Sequence, residues 1–236
     1  MIPWVLIDTA PMPGGKDLKL YRHDADFAIR SGNVEVMNSR MHGSEEVLSD
    51  MACAQIARIE EPRLLIGGLG MGFTLRAALN RLPPKARVTV AELVPAVVKW
   101  NRGVLSELAG HALKDKRVSV VVEDVSKLIR DGKNGYHAII LDIDNGPGSV
   151  WRDENNALYS ERGLEAAFLA LQPRGVLAVW SAGPDRGFTR ALNRAGFDVK
   201  EVPVRARIDG KGGGHHHLWL ARRFTAAPPL INPKRR

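Results

Sequence analysis

From Arg63 onward the chain alternates short, nearly unbroken apolar runs with longer segments whose apolar residues recur every three or four positions. The runs are "RLLIGG", "RVTVAE", "RVSVVVED", "HAIILDID" and "GVLAVWSA". Between them, helices are predicted to start near Gly72, Pro95, Val125, Asn156 and Asp185. A strand that is apolar at every position is buried on both faces, so the pattern predicts a doubly wound, mostly parallel α/β sheet covered by helices. The end of the chain breaks the alternation. "FDVKEVPVRARIDGKGGGHHHLWLARR" reads as strand, Gly-rich turn and strand with no helix between. Five runs and this terminal antiparallel hairpin make seven strands.

The first 40 residues follow a different period. "LKLYRHDADFAIRSGNVEVMNSR" alternates polar and apolar positions around turn signals at His23-Asp24 and Ser31-Gly32-Asn33, which predicts a small antiparallel hairpin unit. "GSEEVLSDMACAQIARIEEP" then reads as a helix. Ser44 is placed to cap it, Leu48, Met51, Gln55, Ile56 and Ile59 fall near one face, and Pro62 ends it. The expected organisation is a β-hairpin unit over 1–40, a nucleoside-binding α/β domain over 41–224 and a basic tail over 225–236.

Composition narrows the function classes. Of 236 residues, 44% are hydrophobic and 25% charged, which suits a globular core. Cys53 is the single cysteine, which excludes a disulfide framework or a CxxC pair and fits a reducing cytosol. "MIPWVLIDTAPMPGG" has no basic leader region, and no run reaches the roughly 18 apolar residues of a membrane span, so a cytoplasmic chain without membrane contact is expected. The net charge of +8 is concentrated at the end: from Arg205 onward there are eight Lys or Arg against one acid, Asp209. A short Pro-containing basic end is a solvated terminus rather than a binding face, and no nucleic-acid partner is expected.

The chemistry gathers where the runs end. "LLIGGLGMGFTLRAAL" carries Gly68, Gly70 and Gly72 after the first run of the repeat, at the sheet edge where open α/β folds bind ligands. Phe73 stands where a dinucleotide fingerprint wants a small residue, and no GK[ST] follows, which disfavours a dinucleotide and excludes a P-loop. Taken alone, the loop is compatible with a plain tight turn. Glu92 ends the second run, 20 residues after Gly72, where a carboxylate can accept from both ribose hydroxyls. Asp124 ends the third, where an acid can accept from an adenine amine. Each acid alone reads more readily as a helix cap or a solvated loop residue; three successive strand ends carrying such groups reverse that and point to an adenosine site. At the fourth, Asp142 and Asp144 lie two apart, on one side of an extended chain, which suits a base or a cation cradle. Asn145-Gly146-Pro147 makes a capped turn the competing reading.

The terminal antiparallel hairpin matches the layout of the S-adenosylmethionine-dependent methyltransferase fold. Within that fold, "LLIGGLGMGFTLRAAL", "VTVAELVPAVVKWNR", "VEDV" and "YHAIILDIDNGP" resemble the polyamine aminopropyltransferase (spermidine synthase) family in order and spacing, and "LYSERGLEAAFLALQPRGVLAVWSA" resembles its next region. The resemblance covers roughly 40 to 220, with the preceding unit similar to a shortened N-terminal β domain. It implies a ribose role for Glu92, an adenine role for Asp124, deprotonation of the attacking amine by Asp142, and a homodimer. The chain also departs from the family. The glycine-loop Asp that meets the donor's aminopropyl amine is here Gly70, the Asp-Pro after the base is Asn145-Gly146, and the gate before the core is only echoed by "HGSEE", His42 to Glu46.

The function expected is transfer of an alkyl (aminopropyl) group from S-adenosylmethionine, or its decarboxylated form, as co-substrate to a small-molecule amine, with no metal. Gly68, Gly70, Gly72, Glu92 and Asp124 would hold the nucleoside, and Asp142, helped by Asp144 or Glu46, would take the proton. Trp151 and Tyr159 either line an amine pocket by cation–π contact or anchor the next helix. His215 and His217 face opposite to His216 on a strand, so the three cannot converge on one metal, and a polar hairpin edge is the simpler reading. The rivals are a methyltransferase, a non-catalytic nucleoside-binding homologue and an NAD-dependent oxidoreductase.

Overall fold

The structure is a computed structural model that describes residues 3–13, 17–143, 146–147, 157–207 and 214–224. Asp144, Trp151, the helix start expected near Asn156 and the basic tail 225–236 lie outside the described residues. The chain begins with a four-stranded antiparallel meander, β1 (Val5–Ala10), β2 (Leu18–His23), β3 (Asp26–Ser31) and β4 (Val34–Asn38). The turns at Asp24 and Gly32 fall where the sequence puts them, and both residues adopt positive φ. β1 is the strand the pattern misses, because three of its apolar residues, Val5, Leu6 and Ile7, are exposed and show no alternation.

The core follows as α1 (Gly43–Gln55), β5 (Arg63–Gly67), α2 (Phe73–Arg81), β6 (Arg87–Glu92), α3 (Pro95–Arg102), β7 (Val118–Val122), α4 (Val125–Asp131), β8 (Tyr136–Leu141), α5 (Glu161–Ala170), β9 (Leu171–Ser181), α6 (Arg186–Arg194), β10 (Phe197–Arg205) and β11 (His215–Arg223). The seven strands lie in the order β10-β11-β9-β8-β5-β6-β7. β5 pairs in parallel with β6 and β8, whereas β11 is antiparallel to both β9 and β10. The doubly wound sheet with a terminal hairpin is therefore the architecture observed. Side chains alternate between two cores. Leu64 and Ile66 pack with α1, α2 and the meander, whereas Leu65 packs with Ile139, Leu177 and the Phe168 and Phe188 side of the sheet.

Two local expectations are corrected. β9 starts at Leu171, before "GVLAVWSA", and accommodates the turn-like Pro173-Arg174-Gly175 as an irregularity opposite Tyr136 and Ala138. Ser44 does not cap α1. The cap position is His42, with no side-chain bond, and Ser44 is fully buried with its hydroxyl turned toward β9 and β11.

Candidate functional site

The strand order reverses between β5 and β8, and the loops after these two strands form the floor of a cavity of about 190 Å³. The loop after β5 turns on three glycines with positive φ: Gly68 (+85°), Gly70 (+51°) and Gly72 (+82°). Gly68 also has no room for a side chain, since a Cβ there would stand 2.5 Å from the Asp142 carbonyl oxygen. At Gly70 the neighbour is Met37 of β4, whose Sδ would lie 2.9 Å from a Cβ. The meander thus closes one wall of the cavity, with Met12, Leu18, Ile29 and Met37 among its lining.

Glu92 is buried at the end of β6 and fixes the loop. Its Oε2 accepts from Leu69 N at 2.8 Å and its Oε1 from Val94 N at 2.8 Å. Burial pushes its carboxyl up, while these backbone bonds oppose the shift. The clamped carboxylate also lines the cavity. Asn101 of α3 adds a second hold by donating to Gly70 O at 2.8 Å. Asp124 caps α4 by accepting from Ser126 N at 2.7 Å and also lines the cavity, so the cap and the binding readings of this residue are compatible.

Asp142 follows β8, in the β strand end that faces the glycine loop. Thr74, in the first turn of α2, donates to its Oδ2 at 2.5 Å, and burial pushes the carboxyl up to about 6. Its acidic neighbour is Glu45 of α1. Glu45 is 6% exposed, accepts from Ser44 Oγ at 2.7 Å, and is pushed up to about 8 by burial first and by the charge of Asp142 second. At neutral pH the two therefore share about one proton, held mainly by Glu45. Trp180, near the end of β9, lines the same end of the cavity and donates its Nε1–H to Ser44 Oγ at 2.9 Å.

Gly68, Gly70, Glu92, Asp124 and Asp142 thus line one cavity, with Gly72 setting the start of α2 beside it. Glu46 and Tyr159 do not line it. Glu46 pairs with Arg76 and with His42 Nδ1 at 3.0 Å, on the α1–α2 surface. Tyr159 packs edge-on against Phe188 at 5.6 Å in the core beneath α6, which is the anchoring role. Glu45, Ser44, Thr74 and Trp180 are the site residues that the sequence reading missed. For Glu45 a signal existed: stepping back along the buried face of α1 from Ile56 through Ala52 and Leu48 reaches Glu45, not Glu46.

The described lining residues include five acids, Glu45, Glu92, Glu123, Asp124 and Asp142, and no Lys, Arg or His. Glu123 is paired with Lys127 at 2.6 Å, which keeps its carboxyl low. Among the described residues no three His, Cys, Asp or Glu side chains are grouped to hold a metal ion. None of the described helices is long and apolar enough to cross a membrane.

Known proteins resemble this chain in sequence and in fold. Curated relatives include a polyamine aminopropyltransferase of Prochlorococcus marinus, 29% identical over 53% of this chain and 43% of its own length. Polyamine aminopropyltransferase 1 of Streptomyces coelicolor is 31% identical over 71% of this chain and 31% of its own length. The chain thus spans less than half the length of these relatives. In fold it is similar to the crystal structure of spermidine synthase from Thermotoga maritima, with a TM-score of 0.70 and 18% identity over 92% of this chain and 72% of that one. A probable spermidine synthase from Corynebacterium glutamicum aligns with a TM-score of 0.63 and 14% identity, over 94% of this chain and 81% of that one. At such identities the likeness speaks for the fold alone. Residues 41–184 match the spermine/spermidine synthase domain, and on that match over more than half of its length the chain belongs to this family.

Proposed function

We propose that this chain transfers an aminopropyl-type alkyl group from an S-adenosylmethionine-type sulfonium nucleoside to an amine. The observation that carries the reading is the cavity at the strand-order reversal, lined among the described residues by acids and by no basic side chain. Both reactants are cations, and such a lining attracts them while repelling anions. Glu92 and Asp124 suit the hydroxyls and amine of a nucleoside as acceptors that line the cavity at the ends of neighbouring strands. The apolar wall supplied by Met37, Val94 and Val125 suits a base ring and a thioether.

The sulfonium brings its own leaving group, so alignment and proton removal remain for the protein. The attacking amine must be neutral. Asp142, ionised at neutral pH and held by Thr74, takes its proton as the nitrogen–carbon bond forms, while the electron pair of the breaking carbon–sulfur bond stays on sulfur. A second reading, methyl transfer from the carboxylate-bearing donor, is favoured by Gly70, which places no acid against a donor carboxylate. The absence of a cation among the described lining residues weighs against it.

The test is calorimetry with both donors, followed by mass analysis of products with a panel of amines. A preference of a hundredfold or more for the decarboxylated donor, about 2.7 kcal/mol, and a product gaining an aminopropyl group support the proposal. Asp142→Asn is expected to lower turnover by about 10²–10⁴-fold with nucleoside affinity little changed. Tight nucleoside binding with no product from any amine would leave a binding protein instead.

A further inference from the structure

The histidine run of the terminal hairpin has one member that reaches toward the cavity. His215 is exposed, and His217 Nδ1 lies 2.9 Å from Glu201 Oε1, on the other side of β11 from His216. His216 turns inward. Its Nδ1 is 2.8 Å from Ser44 Oγ, and its ring meets that of Trp180 edge-on at 4.6 Å. His216 is only partly buried, whereas the Ser44 it meets is fully buried.

Ser44 Oγ has three polar neighbours: Trp180 Nε1 at 2.9 Å, Glu45 Oε2 at 2.7 Å and His216 Nδ1 at 2.8 Å. A hydroxyl has one proton and two lone pairs. The indole N–H can only donate, so it occupies one lone pair. One lone pair and one proton remain for Glu45 and His216. For all three contacts to be hydrogen bonds, one of these partners donates to Ser44 while the other accepts from it. Two arrangements satisfy this. In one, a protonated Glu45 donates to Ser44 and Ser44 donates to a bare His216 Nδ1. In the other, an ionised Glu45 accepts from Ser44 and His216 Nδ1–H donates to Ser44.

We propose that Glu45, Ser44 and His216 form a proton outlet from the cavity to solvent. This rests on the alkyl-transfer reading, which deposits one proton among Asp142 and Glu45 per turnover. The step balances without a net charge on the hydroxyl. Glu45 gives its proton to Ser44 Oγ, Ser44 passes its own to His216 Nδ1, and His216 releases the Nε2 proton to water. The chain ends as ionised Glu45, an intact serine and a neutral imidazole of the other tautomer. The groups facing His216 permit this cycle. From α1 they are Ser44 and Glu45; from β9, the uncharged Trp180; from its own strand, His217. Opposite it in the β10 ladder stands Val204. Burial first, and His217 second, lower the basicity of His216, so it stays neutral and does not trap the proton. His216 and Ser44 are positioning residues here, since neither is among the residues that line the cavity.

The test is nitrogen-15 NMR of the His216 ring in the whole protein across pH 6 to 10, with no donor or amine present. The neutral ring is expected as the Nε2–H tautomer near pH 7 and to switch to Nδ1–H with a midpoint near 8, where Glu45 ionises. Glu45→Gln and Ser44→Ala are each expected to abolish the switch while the other histidines titrate as before. A single tautomer across the whole range in the wild-type protein, which needs no variant to fold, would overturn the proposal. In turnover, Ser44→Ala is expected to lower kcat with KM unchanged, and an unchanged kcat would overturn the outlet role. Absence of any product would refute the transferase reading separately, because the tautomer switch is measured without turnover.

Discussion

Glu45 gives the most exacting test of the site, because a carboxyl so deeply buried beside another one must weaken the fold. In the folded chain its value is about 8 against an ordinary 4.5. Between these two values the folded state holds a proton that the unfolded state has released, so stability falls as pH rises through the window and levels off above it. At roughly 1.4 kcal/mol per unit the full penalty is on the order of 5 kcal/mol. Exposure of 6% leaves little solvent screening to reduce it. Glu45→Gln removes the charge and keeps an amide oxygen to accept from Ser44. The variant and the wild-type protein should be about equally stable near pH 4.5. Above pH 8 the variant should be more stable by a few kcal/mol, which for a chain of this size is on the order of 10 °C in melting temperature. Urea denaturation and thermal melts at unit pH intervals measure the difference directly, because contributions from groups that do not interact with Glu45 largely cancel between the two proteins. Parallel stability curves across the whole range would refute the reasoning. They would mean that Glu45 reaches water, or finds a cation, in the native protein.

Two further substitutions test how the loop is built. Glu92→Ala leaves the Leu69 and Val94 N–H groups without acceptors and should cost about 2–5 kcal/mol in urea unfolding, at about 1–3 kcal/mol for each buried group; Glu92→Gln, which keeps one acceptor, should cost less. Gly70→Ala forces a side chain into φ +51° with its Cβ 2.9 Å from Met37 Sδ, a loss of about 1–2 kcal/mol. Pairing it with Met37→Ala in a double-mutant cycle should give less than the sum of the single losses, and strict additivity would show that the two do not meet.

The sheet was legible because its central strands are buried on both faces and its helices are not, so the periodicity changes at each boundary; the edge strand β7 reads the same way although Val121 and Val122 are exposed. Glu92, Asp124 and Asp142 were legible for a related reason: in a parallel sheet the residue ending each strand faces the same edge. β1 left no such trace, since Val5, Leu6 and Ile7 are apolar yet exposed. Glu45 and Glu46 are chemically alike and adjacent, and only the 100° step of a helix separates them. The step sends Glu45 to the cavity and Glu46 to Arg76. Ser44, Trp180 and His216 were beyond sequence reasoning because they meet across up to 172 positions of separation. Each has a bland local explanation, as cap, core aromatic or hairpin edge, and only the folded register brings them together.

The penalty on Glu45 and the chemistry proposed for the cavity are two sides of one arrangement. A carboxyl kept protonated by burial and by a neighbouring carboxylate becomes a strong attractor for a cation, because the cation can take over the stabilising field that the proton supplied. On the reading proposed above, the unliganded pair holds about one proton, and a cationic ligand entering between Glu45 and Asp142 is expected to displace it. Thr74 and Ser44 set the geometry for that exchange. Both stand in the first turns of helices packed on the same face of the sheet, each hydrogen-bonded to one of the two acids. The acids are thus aimed before the ligand arrives, which is the preorganisation that makes a buried charge useful instead of merely costly. Gly70 fits the same logic. A side chain at position 70 would have to displace the Met37 thioether, and the cavity's acids at this end come from α1 and the end of β8.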